Sequence, residues 1–204
     1  MSNELAGKRI AFLVANVGVE QVELTSPWQA VAGAGGEPVL LAPEKEPVQT
    51  VNHDTESAGT FDPDHAVGDV LAEDFAALVL PGGVANPDKL RVVPEAVAFV
   101  RAMAAAGKPI AAICHGPWTL IDAGVVAGKS LTSWPSLQTD VSNAGGDWHD
   151  ERVLLCSAMG FDLVTSRQPA DLDAFNDELV RTFAQASSET DAPQLPGAAW
   201  RLTS

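Results

Sequence analysis

Pro109-Ile110-Ala111-Ala112-Ile113-Cys114-His115-Gly116-Pro117 is an apolar run cut short by a cysteine, a histidine, a glycine and a proline. The run is continuous rather than alternating, so it reads as a strand buried on both faces. Ala112 lies two residues before Cys114 and Gly116 two after. A nucleophile carried on a sharp strand-to-helix turn needs small residues at both places, and here Ala stands where the first glycine is usual. A helix from about Gly116 to Ala123 is expected to follow. The turn lifts the sulfur from the sheet edge and aims it at the helix N-terminus. Exposed N–H groups and the helix dipole favour the thiolate there, so the thiol pKa is expected to fall. The plain alternative is a small core cysteine, which the Cys-His-Gly-Pro setting does not suit.

The same alternation extends both ways. Arg9–Ala15, Pro38–Ala42 and Ala76–Leu80 read as buried strands. Glu20–Gly35 reads as a helix with Leu24, Trp28 and Val31 on one face, stopped by Gly35-Gly36. Glu95–Ala106 packs Ala96, Phe99, Val100 and Met103, and Gly107 closes it. Ala170–Ala184 turns Leu172, Phe175, Leu179 and Phe183 inward. Between these, Pro43–Asp69 is polar and predicts a hairpin plus an irregular excursion. Thr132–Gly146 predicts a strand end and a short helix. Arg152–Cys156 and Asp162–Thr165 predict two late strands joined through Ser157–Phe161. There is no internal repeat. The pattern predicts an α/β domain over 8–186: a doubly wound, mainly parallel sheet sandwiched by helices. The polar, proline-containing tail 187–204 is expected to lie outside the core. Sheets of this kind place their sites beyond the carboxyl ends of the strands.

The chain has 204 residues, enough for one full hydrophobic core, and a net charge of −15. That charge argues against nucleic acid and against an anionic membrane surface, both of which need clustered Lys and Arg. No stretch approaches the roughly 20 apolar residues of a membrane span, and Ile10–Ala15 is too short for a signal-peptide core. Two cysteines make no disulfide framework. The cytoplasm is the expected compartment.

Two further segments follow strands. Pro81-Gly82-Gly83 lets the backbone approach a ligand, and an N–H there paired with that of His115 would form an oxyanion hole. It is no dinucleotide fingerprint. Gly18–Glu23 brings two acids to a helix start. Glu20 and Glu23 at i and i+3 share a face. With the first strand expected beside Pro109–Ile113, one of them would meet the sulfur. A buried carboxyl beside the sulfur would titrate high and donate a hydrogen bond to it. Trp118, four residues past Cys114, either lines the mouth of the site or belongs to the core. Cys156 reads as structural. His53 and His65 read as solvated loop residues, and neither has metal-ligand spacing with Cys114.

Leu80-Pro81-Gly82-Gly83, the Ala112–Pro117 run and Gly18–Leu24 together resemble the ThiJ/PfpI family, within the class I glutamine amidotransferase-like superfamily. Asn143-Ala144-Gly145, Thr165-Ser166-Arg167 and Asp171–Phe175 are similar to its PfpI branch, which includes general stress proteins. The likeness runs from about Lys8 to Ala184. It implies a flavodoxin-like fold, no cofactor and no metal. It implies Cys114 as nucleophile, His115 as its base, Glu23 as the buried acid on the sulfur, and Gly83 and His115 as oxyanion donors. Glu20, Gly82, Gly116 and Trp118 complete the expected pocket. Asp88 matches an acid that a neighbouring subunit supplies to orient the histidine, which implies a homodimer or larger assembly. It is Asp where the branch leads one to expect Glu.

Three readings stay open. The first is a cysteine hydrolase acting on a small carbonyl compound, a glycated amine or a peptide, in the range of peptidase, glyoxalase and deglycase chemistries associated with the family. The second is a redox-sensing stress protein or chaperone with an oxidisable Cys114. The third is a glutaminase whose triad is completed by His149 and Glu151.

Overall fold

The computed structural model describes residues 3–186. In chain order the elements are β1 (Arg9–Leu13), β2 (Val17–Glu20), α1 (Gln21–Gly33), β3 (Glu37–Ala42), β4 (Val48–Asn52), β5 (Glu56–Phe61), β6 (His65–Ala66) and β7 (Ala77–Leu80). They continue with α2 (Ala85–Leu90), α3 (Pro94–Ala105), β8 (Ile110–Ile113), α4 (Pro117–Asp122), β9 (Ser130–Leu131), α5 (Gln138–Asn143), β10 (Asp147–Trp148), β11 (Val153–Cys156), β12 (Leu163–Ser166) and α6 (Leu172–Gln185). A seven-stranded sheet runs β11-β12-β8-β7-β1-β3-β6. All its pairs are parallel except β11–β12. The expected doubly wound α/β architecture is what the chain adopts.

Its two faces sort the strand residues with period two. Ala11, Leu13, Leu78, Leu80, Ile110 and Ala112 face Phe99, Val100 and Met103 of α3. Ile10, Phe12, Val79, Ala111 and Ile113 face Leu24 and Val31 of α1 and Phe175, Leu179 and Phe183 of α6. Each large side chain buried this way contributes roughly 1.5–3 kcal/mol. Because both faces are covered, the strands read as unbroken apolar runs.

The structure corrects the sequence reading in three places. The first strand does not neighbour Pro109–Ile113, because β7 lies between β1 and β8. Glu20 is not in the first turn of α1 but ends β2, a short strand that pairs with β4. The polar Pro43–Asp69 stretch does form a hairpin, β4–β5, which joins β2 in a small second sheet. Its remainder is less irregular than expected, since His65 sits in β6 at the edge of the main sheet. The 187–204 segment lies outside the described residues.

Two buried lysines are satisfied by backbone. Lys129 Nζ donates to the carbonyls of Cys156, Ala158 and Phe161. Lys8 Nζ donates to those of Phe183, Ala184 and Ala186, at 2.6–2.9 Å, at the C-terminal end of α6. A cation there also meets the negative end of the helix dipole.

Candidate active site

Cys114 directly follows β8 and adopts φ +60, a left-handed conformation that costs a non-glycine residue energy. Its N–H donates to Ser166 O of β12, and its carbonyl accepts from Trp134 N–H. The backbone is therefore held from both sides while the side chain turns toward a cleft of about 250 Å³. Glu20, Glu23, His53, Asp54, Gly83, Cys114, His115, Trp134 and Pro169 line that cleft. Gly116 opens α4 against the Leu80 carbonyl, where a Cβ would collide.

Glu23 reaches the sulfur even though a strand intervenes, and the reason is Gly82. A Cβ at residue 82 would stand 2.5 Å from Glu23 Oε2 and 2.6 Å from Cys114 Cβ. The bare backbone of the turn after β7 is the gap through which acid and thiol meet. Gly82 N–H donates to Glu23 Oε2 at 2.9 Å, and the carboxyl's other neighbour is the thiol. Glu23 is fully buried. Burial above all pushes its carboxyl up to about 8. The thiol and the Gly82 N–H oppose that rise, and the charges of Glu20 and Asp54 add to it. Glu23 is therefore protonated at neutral pH, the state in which its Oε1, otherwise without a hydrogen-bond partner, can donate toward the sulfur.

The thiol does not follow the expectation of a lowered pKa. Cys114 is only 7% exposed. Burial pushes its thiol up, a charged Glu23 pushes it further, and the N–H groups of Gly83 and His115 pull it down. The helix starts where expected, with Gly116 as its N-cap, but it is only six residues long, and burial outweighs what it offers. While Glu23 keeps its proton, the second upward push is absent. Carboxyl and thiol then titrate as a pair.

The Gly83 and His115 N–H groups both address the sulfur. Gly83 takes φ +80 and packs its Cα against the Gly18 carbonyl, so no side chain fits there. His115 Nδ1 lies 3.3 Å from Sγ, and its Nε2 lies 3.4 Å from Ser136 Oγ. Burial lowers the His115 pKa, with Asp54 working against that, so the imidazole is neutral at pH 7 and able to accept a proton. The ring is stacked near Trp134, at 5.9 Å between centroids, and tilted against Trp118 at 5.1 Å.

Other expected residues fall elsewhere. Trp118 braces His115 from behind and donates its indole N–H to Asp140, so Trp134 rather than Trp118 lines the cleft. Asp88 is exposed on α2, and this chain does not bring it to its own cleft. His149 pairs with Asp147 at 2.9 Å, and neither it nor Glu151 lines the cleft. Cys156 is a buried free thiol that accepts Ser130 N–H. Four contributors were not anticipated. His53 and Asp54 come from the hairpin tip, and Trp134 comes from the irregular segment before α5. Asn86, fully buried, accepts Ala15 N–H at 2.6 Å and donates to the carbonyls of Pro81 and Gly82. It thereby fixes the Gly-Gly turn to the end of β1.

A mainly parallel α/β sheet that presents a buried cysteine on a strained strand-to-helix turn, beside a buried acid, defines a class of α/β proteins built around such an elbow. Within that class the chain belongs to the DJ-1/PfpI family, whose model matches residues 8–182. It is 40% identical over 172 residues to General stress protein 18 of Bacillus subtilis, covering 84% of this chain and 95% of that protein. It is 40% identical over 175 residues to Protein/nucleic acid deglycase 2 of Escherichia coli, covering 85% and 96%. Drosophila melanogaster DJ-1beta superposes with a TM-score of 0.75 at 27% identity, covering 90% of this chain and 91% of that one. The family resemblance seen in the sequence is borne out. Among the described residues no helix is long and apolar enough to cross a membrane.

Proposed function

We propose that this protein is a cysteine-dependent hydrolase of the PfpI type, working in the cytoplasm on reactive carbonyl compounds or their adducts with amines. The observation that carries the reading is the sulfur's setting: two backbone N–H groups address it, and a neutral imidazole nitrogen lies 3.3 Å away. His115 Nδ1 takes the thiol proton as sulfur adds to the carbonyl carbon. The carbonyl π pair moves onto oxygen, and the Gly83 and His115 N–H groups hold the resulting oxyanion. His115 then returns its proton to that oxygen to give a hemithioacetal. With methylglyoxal, moving the C1 hydrogen to C2 as a proton turns this into a thioester, and water cleaves its C–S bond to release the hydroxy acid and restore the thiol. Glu23 keeps its own proton on the sulfur side. The cleft admits a small carbonyl or the end of a modified side chain more readily than a folded protein. A relative named as a deglycase supports the substrate class, and one named as a stress protein supports the protective role.

Cys114→Ser should abolish methylglyoxal consumption, and undiminished turnover in that variant would overturn the proposal. The redox reading draws on the same donors, because N–H groups aimed at sulfur also suit an oxidised sulfur oxygen. Rapid peroxide modification of Cys114 without turnover would select it. We further propose that Asp88 serves the cleft of a neighbouring subunit in a homodimer or larger assembly. Asp88→Ala should then lower turnover in an oligomer sized by light scattering, and a fully active monomer would refute it.

A further inference from the structure

Asp54 sits at the tip of the β4–β5 hairpin, 30 residues before its partner Val84, yet it lines the cleft. Three features show that its position is built. His53 and Asp54 both take positive φ, 52° and 64°, within the three-residue connection that joins the paired Asn52 and Glu56. The buried Glu20 carboxylate accepts both of their N–H groups, each at 3.1 Å, and so straps the turn down. Asp54 Oδ1 then accepts the N–H of Val84 at 2.8 Å. Val84 follows Gly83, whose own N–H addresses the Cys114 sulfur. Gly83 is the hinge of that turn, at φ +80. The peptide that carries the Gly83 N–H is held through the Gly82 carbonyl by Asn86 Nδ2 and Glu20 N–H, and Asp54 holds the next peptide, on the other side of this hinge, through the Val84 N–H.

We propose that Asp54 is a positioning residue, which holds the Gly83 N–H on the nucleophile through its hydrogen bond to Val84, with Glu20 fixing Asp54 in turn. This rests on the reading of Cys114 as the nucleophile. It explains why an exposed hairpin is tied to a buried carboxylate. It also gives Glu20 a role that does not require it to touch substrate. A misaligned oxyanion donor costs catalysis rather than substrate binding, so the loss falls on kcat.

Asp54 also carries charge, and the two roles predict opposite signs. Glu20, Glu23, Asp54, His53 and His115 are the titratable groups facing the sulfur across the cleft. Removing a negative charge from among them lowers the pH at which the thiol ionises. Removing an aligned N–H donor raises it. Asp54→Gly deletes the carboxylate without straining a positive-φ turn, and Asp54→Asn keeps an acceptor oxygen while deleting the charge.

The test uses the full chain. The pH midpoint of iodoacetamide labelling at Cys114 is read by mass spectrometry, beside kcat and KM for methylglyoxal. Asp54→Gly should move the midpoint up and lower kcat about tenfold to a hundredfold with little change in KM. Asp54→Asn should restore most of the rate. If both variants move the midpoint down together, Asp54 acts through its charge and the proposal fails. It also fails if Asp54→Gly matches the parent in both readouts. Cys114→Ser, run alongside, separates the two levels. Turnover in that variant removes the nucleophile reading on which the proposal stands. A dead Cys114→Ser beside an unaffected Asp54→Gly removes only the role of Asp54.

Discussion

Replacing Glu23 with Gln should change how the stability of the whole protein responds to pH. In the unfolded chain this carboxyl titrates at an ordinary 4.5, and in the folded protein at about 8. Between those values the folded state holds a proton that the unfolded state has released. A raised folded pKa means that the associated stability is fully present below about 4.5 and is lost as the pH rises through 8. At about 1.4 kcal/mol per pH unit, the window amounts to roughly 5 kcal/mol. That is comparable to the total stability of many domains. Gln cannot titrate, so Glu23→Gln should lack this loss. Urea unfolding at pH 5, 6.5 and 8 measures it. The stability of the variant relative to the parent should grow by several kcal/mol across the series. Parallel pH dependences would refute the reasoning. They would mean that folding brings Glu23 no extra proton, as when the thiol has already given its proton to the carboxyl and the folded pair holds only one.

Gly82→Ala should press a methyl group against Glu23 Oε2 and Cys114 Cβ, both within 2.6 Å of its position. Overpacking of this kind costs about 1–3 kcal/mol, visible as a lower urea midpoint, and alkylation of Cys114 should slow with it. Normal labelling and stability would mean that the turn yields freely. Asn86→Ala should strand the buried Ala15 N–H and the carbonyls of Pro81 and Gly82. A loss of about 2 kcal/mol or more is expected in the same assay, and a change within error would show that water replaces the amide.

The elbow and the last helix were legible in the sequence because each is a local pattern. β8 is buried on both faces, so its residues are apolar without a break. The inward positions of α6 recur at helical spacing. Cys114, His115, Glu23 and the Gly-Gly turn were legible as motifs, and the structure brings all of them to one cleft. Strand order was not legible. Nothing in β7 says that it separates β1 from β8, since all three are equally apolar. Glu20 was misplaced because β2 has only four residues, and its acid lies beside a good helix start. His53 read as a solvated loop residue, and His53 and Asp54 are both exposed in the turn. Their second role depends on a contact with Val84 across 30 residues, and periodicity carries no trace of that. Trp134 stands in a segment with no period to read.

The lysine at the head of β1 bears on where this chain can be shortened. The family match ends at residue 182, and a trimmed version would naturally stop there. Lys8, 9% exposed, takes its three acceptors from residues 183, 184 and 186. Cutting at 182 would remove all three, uncover the Lys8 ammonium to water and lose the tie between the first strand and the end of the last helix. Ending at Ala186 instead keeps every one of those acceptors, so a cation at the head of the sheet bears on where the last helix can be cut.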